Sequence, residues 1–189
     1  KDRISEWLIF GKYPEIIATT DKKKKIKLLD EIVYSYLLKD VLALDRIKNS
    51  KKLLDLLRLL AFQVGNEVSL SELGKHLGID YKTVGRYLDI LEKAFVLYNL
   101  RGFSRNLRKE ITKKSKYYFY DNGIRNTIIS NFNDIELRND IGMLWENFIF
   151  MERIKKRSYD EISANPYFWR TWEKQEIDLI EEREGKLFA

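Results

Sequence analysis

The stretch from Ser69 to Phe95 constrains the fold more than any other part of the chain. Ser69 is followed three residues later by Glu72, a capping box in which each side chain can bond the other's backbone N–H and so start a helix. Leu70, Leu73 and Leu77 supply its apolar stripe. Gly78-Ile79-Asp80 then makes a tight turn, with Asp80 placed to cap the next helix. That helix is expected from Tyr81 to about Ala94, burying Val84, Leu88, Leu91 and Phe95. An apolar plug beside a glycine lets two helices meet at a steep angle, the requirement of a helix-turn-helix.

The flanks extend the pattern. Leu53, Leu54, Leu57, Leu60 and Ala61 share one face of a helix over 51–63 that ends at Val64-Gly65. After the turn unit come two β-prone runs, Val96 to Phe103 and Lys116 to Tyr120, separated by a basic stretch from Ser104 to Lys109. Three helices and a two-stranded ribbon are the plan of a winged helix, expected over 51–132. If this unit binds double-stranded DNA, the outward residues Tyr81, Lys82, Thr83, Gly85 and Arg86 face the major groove. Arg105, Arg108 and Lys109 on the wing then meet the backbone or minor groove. Against this, that helix face carries two basic residues before Asp89 and Glu92, and winged helices also dock proteins. Both readings stand at this point.

Residues 1–50 read as a helical segment with a structural, lid-like role. Asp21 can cap a helix beginning at Lys22, and Ile26, Leu29, Val33, Tyr36 and Leu37 continue at helical spacing. Leu42, Leu44 and Ile47 extend it as a short helix or turn. A short helix is expected over 124–132, followed by a polar linker over 133–139 where a domain boundary is placed. Residues 140–157 form a strong helix with Ile141, Leu144, Trp145, Phe148, Ile149 and Ile154 on a wide apolar face. Two strands follow, and a third begins at Lys186. Residue 1 is Lys and this last strand stops at Ala189, so the chain is expected to be a piece of a longer one. An unfinished edge strand invites pairing with a second copy.

Composition narrows the class. The 189 residues are 44% hydrophobic and 34% charged with only 2 Pro and 9 Gly, which fits a helix-rich globular protein. The absence of Cys excludes disulfides and thiolate metal sites and fits a reducing cytoplasm. A single His, His76 on the polar side of its helix, excludes multi-His metal sites. No apolar run reaches the roughly 20 residues needed to cross a bilayer, so no membrane partner is expected. The net charge of +6 is compatible with nucleic acid, but 35 basic residues are diluted by 29 acidic ones. The basic runs are Lys22 to Lys25, read as a solvated face, Arg101 to Lys116, and Arg153 to Arg157.

Several short motifs occur in a fixed order: Phe10-Gly-Lys-Tyr-Pro-Glu-Ile16, Tyr36-Leu-Leu-Lys-Asp40, the unit from Ser71 to Phe95, Lys116-Tyr-Tyr-Phe-Tyr-Asp-Asn-Gly-Ile-Arg125, Gly142-Met-Leu-Trp-Glu-Asn-Phe148 and Glu176-Ile-Asp178. In these the chain resembles the C-terminal half of a bacterial and archaeal family of AAA-type ATP-binding proteins. The resemblance implies an N-terminal P-loop ATPase using ATP and Mg²⁺, then a helical and winged-helix region, then a domain similar to restriction-endonuclease-like nucleases. The P-loop itself lies outside this sequence, so no cofactor is expected on these residues alone. The expected class is therefore mixed α and β, helix-rich: a helical segment over 1–50, a winged helix-turn-helix over 51–132, and the opening of an α/β nuclease-like domain over 133–189.

By the same resemblance Glu146 is the helix carboxylate and Asp178 the strand carboxylate of a divalent-metal site. Glu176 shares the Asp178 face of its strand, because side chains alternate. The acid-x-Lys pair that completes such a site falls beyond Ala189, so nuclease catalysis is not expected of the fragment. The expectation for these residues is DNA binding and regulation, or, as the alternative, docking a protein partner and coupling it to the ATPase domain.

Overall fold

A computed structural model describes residues 3–37, 39, 41, 43, 49–104, 115–171 and 175–189. It is a mixed α and β fold. Helices α1 (Arg3–Phe10), α2 (Pro14–Ala18) and α3 (Lys22–Asp30) open the chain, and α3 runs into a π-helical turn, Glu31–Leu37. Asp21 caps α3 by accepting from the Lys24 N–H at 2.7 Å. Lys25 departs from the solvated run read in the sequence. It is buried under Phe10 and pairs with Glu6 at 2.5 Å. The expected continuation through Leu42, Leu44 and Ile47 lies outside the described residues.

Three helices follow: α4 (Ser50–Ala61), α5 (Leu70–Leu77) and α6 (Tyr81–Lys93). The N-caps form as expected, although the Ser69 box closes on one side only, with Glu72 turned toward His76. Ser69 accepts from the Glu72 N–H at 3.4 Å and Asp80 from the Lys82 N–H at 2.7 Å. Gly78 takes φ +64, a left-handed conformation that costs a residue without Cβ nothing. The Lys52 ammonium, from α4, bonds the Leu77 carbonyl left open at the end of α5. Leu73, Leu77, Val84, Leu88 and Leu91 close the packing between α5 and α6.

One residue of this unit reverses its expected place. Phe95 is 67% exposed and has φ 54. The helix ends at Lys93, and the backbone must turn left-handed for the Val96 N–H to reach the Leu91 carbonyl at 3.0 Å. That reversal swings the phenyl ring out of the stripe it would join if the helix continued.

A six-stranded sheet holds the rest together. Its strands are β1 (Glu67–Val68), β2 (Leu97–Gly102), β3 (Ser115–Phe119), β4 (Asn165–Arg170), β5 (Glu176–Arg183) and β6 (Lys186–Phe188). The order is β1-β3-β2-β4-β5-β6. All neighbours are antiparallel except β2 and β4, which pair in parallel through Arg101 with Tyr167 and Gly102 with Phe168. The strands before and after the 133–139 linker therefore belong to one sheet.

Between β3 and β4 run α7 (Asn122–Ile128), a 3₁₀ turn (Ile135–Leu137) and α8 (Ile141–Tyr159). Asn147 of α8 docks on the end of β3: it accepts from the Phe119 N–H at 2.8 Å and donates to the Phe119 carbonyl at 2.9 Å. Leu144, Phe150 and Met151 bury beside it, and Phe150 stacks on Tyr118 with ring centroids 4.0 Å apart. Ile141, Trp145 and Ile149 point away from this contact and stay exposed. A buried polar cluster ties the helices together. Arg125 caps α4 through the Ala61 carbonyl and pairs with Asp140. Arg138 also bonds Asp140, and Asn126 bonds the Leu8 and Ile9 carbonyls of α1.

Candidate functional site

The first candidate is the outward face of α6. The tight turn presents the start of the helix to solvent. Tyr81, Lys82 and Arg86 are exposed and Thr83 is half-buried, whereas Val84, Tyr87 and Leu88 point inward. Gly85 lies between them. A Cβ there would meet only Leu70 Cδ1, at an ordinary 3.7 Å, so packing does not require glycine. Further along the face Asp89 pairs with Lys93 at 2.7 Å. Arg105, Arg108 and Lys109 lie outside the described residues. His76 is exposed on α5, 4.0 Å from Glu72.

The second candidate is an open cleft of about 460 Å³ between α8 and the sheet. Its lining includes both Glu146 and Asp178, the two carboxylates singled out in the sequence, with Tyr118, Trp145 and Arg153. Glu146 is placed by α8, and its carboxylate accepts from the Tyr118 hydroxyl at 2.8 Å. It also lies against Gly65, whose φ of +76 and missing Cβ make room for it. Burial pushes the Glu146 carboxyl above its ordinary range, and Asp178 and Glu176 push the same way, against the Tyr118 bond and the nearby Lys116. Burial likewise raises Tyr118, with the Glu146 charge adding to it.

Alternation puts Glu176 and Asp178 on one side of β5, and both meet the same cation. Lys116 of β3 pairs with Glu176 and lies 3.2 Å from Asp178, with its ammonium over the Phe168 ring. It is 2% exposed. Sequence reading assigned Lys116 to a wing strand and missed this role. The available signal was a lysine set directly against an aromatic Tyr117-Tyr118-Phe119 run. Among the described residues no three His, Asp or Glu side chains converge as a metal-ligand group. Glu146 and Asp178 could supply two oxygen ligands to a hard divalent cation, with Lys116 beside them as a fixed positive charge.

The basic end of α8 is neutralised within the fold. Arg153 forks onto Glu181 at 2.8 and 2.6 Å, Lys155 pairs with Glu152 at 3.2 Å, and Lys156 with Asp160 at 2.5 Å.

Residues 1–135 match the family described as Domain of unknown function (DUF8612). The chain belongs to this family. Residues 141–189, which carry Glu146 and Asp178, match a second one, Domain of unknown function (DUF4143). The DUF8612 region thus supplies α6, Lys116 and Tyr118, and the DUF4143 region supplies the carboxylates that Lys116 and Tyr118 meet. An uncharacterized protein of Mycobacterium tuberculosis is 29% identical over 134 residues, covering 69% of this chain and 29% of its own length. One of Haemophilus influenzae is 27% identical over 157 residues, covering 80% and 38%. One of the archaeon Methanocaldococcus jannaschii is 24% identical over 182 residues, covering 94% and 38%. The chain therefore spans between 29% and 38% of the length of these relatives. No solved structure matches.

Proposed function

We propose that residues 51–132 form a winged helix-turn-helix that binds double-stranded DNA, within the C-terminal part of a cytoplasmic AAA-type ATP-binding protein. The observation that carries this reading is the outward face of α6, where Tyr81, Lys82 and Arg86 stand exposed just after a tight, capped turn. Gly85 supports it. An interior helical glycine costs about 1 kcal/mol relative to alanine. With no packing need for it, a backbone approached closely by a partner accounts for its presence. The DUF4143 match supports the C-terminal part of the resemblance. In this reading residues 133–189 open a nuclease-like domain, in which Glu146 and Asp178 supply two carboxylates toward Mg²⁺ or Mn²⁺ in the longer protein.

The test is a mobility shift on duplex DNA at two salt concentrations. The double variant Lys82→Ala/Arg86→Ala is expected to bind at least tenfold more weakly and to lower the salt slope by about 2, one counterion per lost phosphate contact. Equal binding by the two proteins would sink the reading.

A second reading has one observation in its favour. Trp145 and Ile149 stand 45% and 47% exposed, side by side on α8. In that reading α8 docks a protein partner and the continuous sheet couples it to the ATPase domain. It is distinguished by a changed ATPase rate in the longer protein when this region is deleted, without DNA binding.

A further inference from the structure

We infer that a second cleft, distinct from both candidates above, binds an unstacked nucleotide, with its base on Phe95 and Tyr120 and its phosphate among Lys12, Lys155 and Lys156. The cleft measures about 520 Å³, within the usual span for small-ligand sites. It forms where the end of α6, the turn between α1 and α2, the end of β3 and the last turns of α8 meet. The nearest sequence separation among these segments is more than twenty residues, so the grouping is a product of the fold.

Phe95 is the decisive residue. Its backbone sits at φ 54, where a side chain is disfavoured and glycine is the usual choice after a helix. The residue is 67% exposed, so it contributes little to the core. The turn itself would close with glycine, because the Val96 N–H to Leu91 carbonyl bond involves no side chain. A strained and exposed aromatic at a cleft rim is the kind of local cost that functional sites carry. Phe95 meets Tyr120 edge-on at 5.6 Å, leaving ring face available, and Tyr159 stands exposed across the cleft. Every nucleobase has a π-face to lay on such rings.

The charges fit the other half of a nucleotide. Lys12 and Lys155 share Glu152, at 2.5 and 3.2 Å, and Lys156 holds Asp160 at 2.5 Å. Lys156–Asp160 is an exposed pair of the kind that contributes little, so its ammonium can turn to a phosphate at small cost, while Lys12 and Lys155 keep Glu152 between them and lend the phosphate their remaining donors. The Asp160 carboxylate so released can accept from base or sugar donors. A free nucleotide and an unpaired nucleotide in a single strand present the same chemistry. The site goes beyond the duplex-binding reading, since Phe95 lies past the opposite end of α6 from Lys82.

The experiment uses the 189-residue chain, with fluorescence anisotropy of a labelled twelve-nucleotide oligothymidylate and competition by thymidine 5′-monophosphate and by inorganic phosphate. Phe95→Gly is expected to weaken binding at least about fivefold, the loss of one base–aromatic stack, while raising the thermal midpoint because the strain is relieved. Phe95→Trp is expected to retain binding. Lys155→Ala/Lys156→Ala is expected to weaken it and flatten its salt dependence. Binding of the monophosphate without the oligonucleotide assigns the site to free nucleotides, and binding of both assigns it to single strands. Competition by phosphate equal to that by the monophosphate, unchanged affinity in Phe95→Gly, or binding of neither ligand overturns the proposal. Duplex binding by Lys82→Ala/Arg86→Ala is measured in a separate shift assay, so failure of the duplex reading shows separately from failure of this one.

Discussion

Lys116 Nζ lies 3.2 Å from Asp178 Oδ1, although 62 residues separate the two. Lys116 stands on a strand of the DUF8612 region and Asp178 on a strand of the DUF4143 region. The contact exists because β2 and β4 pair in parallel and bring the two hairpins into one sheet. Lys116→Met keeps the packed stem and removes the charge. It is expected to cost about 1–3 kcal/mol in urea unfolding, moderated by the partial exposure of both carboxylate partners. It should also raise the Glu146 carboxyl further, since Lys116 now holds it down, which NMR titration of the glutamate carboxyl carbons would register.

Gly65 and Glu146 predict a coupled pair. Any Cβ at Gly65 collides with the Glu146 carboxylate, and the backbone is left-handed there. Gly65→Ala is therefore expected to lose about 1–2 kcal/mol, roughly 1 of it from the backbone and the rest from moving the Glu146 carboxylate off its Tyr118 bond. In a Glu146→Ala background the steric part should vanish and the backbone part remain. Additive losses in the double variant would show that the two side chains do not compete for that space.

Gly85→Ala should separate stability from binding. A Cβ fits there, so the variant is expected to gain about 0.5–1 kcal/mol. Duplex DNA binding should fall several-fold if a partner lies close against α6. Gain in both would remove Gly85 from the proposed interface.

Acid stability should report Glu181. Burial pushes its carboxyl up, but hydrogen bonds and charge from Arg153 and Arg183 outweigh this and bring it to about 2. The folded value is below the ordinary 4.5, so the stabilisation is fully present above about pH 4.5 and is lost as pH falls toward 2. The residue is 4% exposed, and the shift corresponds to about 3 kcal/mol. Glu181→Gln should be less stable at neutral pH and show a flatter decline across that window in denaturation followed by circular dichroism.

Asp140 is the shared anion of two buried arginines. Asp140→Ala leaves Arg125 and Arg138 facing each other without a counter-charge and is expected to cost about 3–5 kcal/mol. Chemical denaturation measures it directly. A loss under 1 kcal/mol would mean that the cluster admits water or a substitute ion.

Much of the local structure was legible in the sequence. The caps at Asp21, Ser69 and Asp80, the Gly78 turn and the C-terminal hairpin each depend on residues a few positions apart. Glu146 and Asp178 were picked out by resemblance, and the fold brings both to one cleft. Lys116, Tyr118 and Gly65 were missed because their roles depend on strands and loops meeting across the chain. Phe95 was placed inside by helical spacing, which cannot foresee that the helix stops two residues earlier and the backbone reverses.

By itself, then, the sequence determined the helices, their caps and turns, and the charge inventory, because these follow from side-chain chemistry over short spans. Only the tertiary structure decided that β2 and β4 join, that Lys116 neutralises carboxylates of the other region, and that Phe95 faces a cleft lined by paired lysines and carboxylates. Those outcomes depend on non-local pairing and on burial, which set both who meets whom and how strongly each charge is felt.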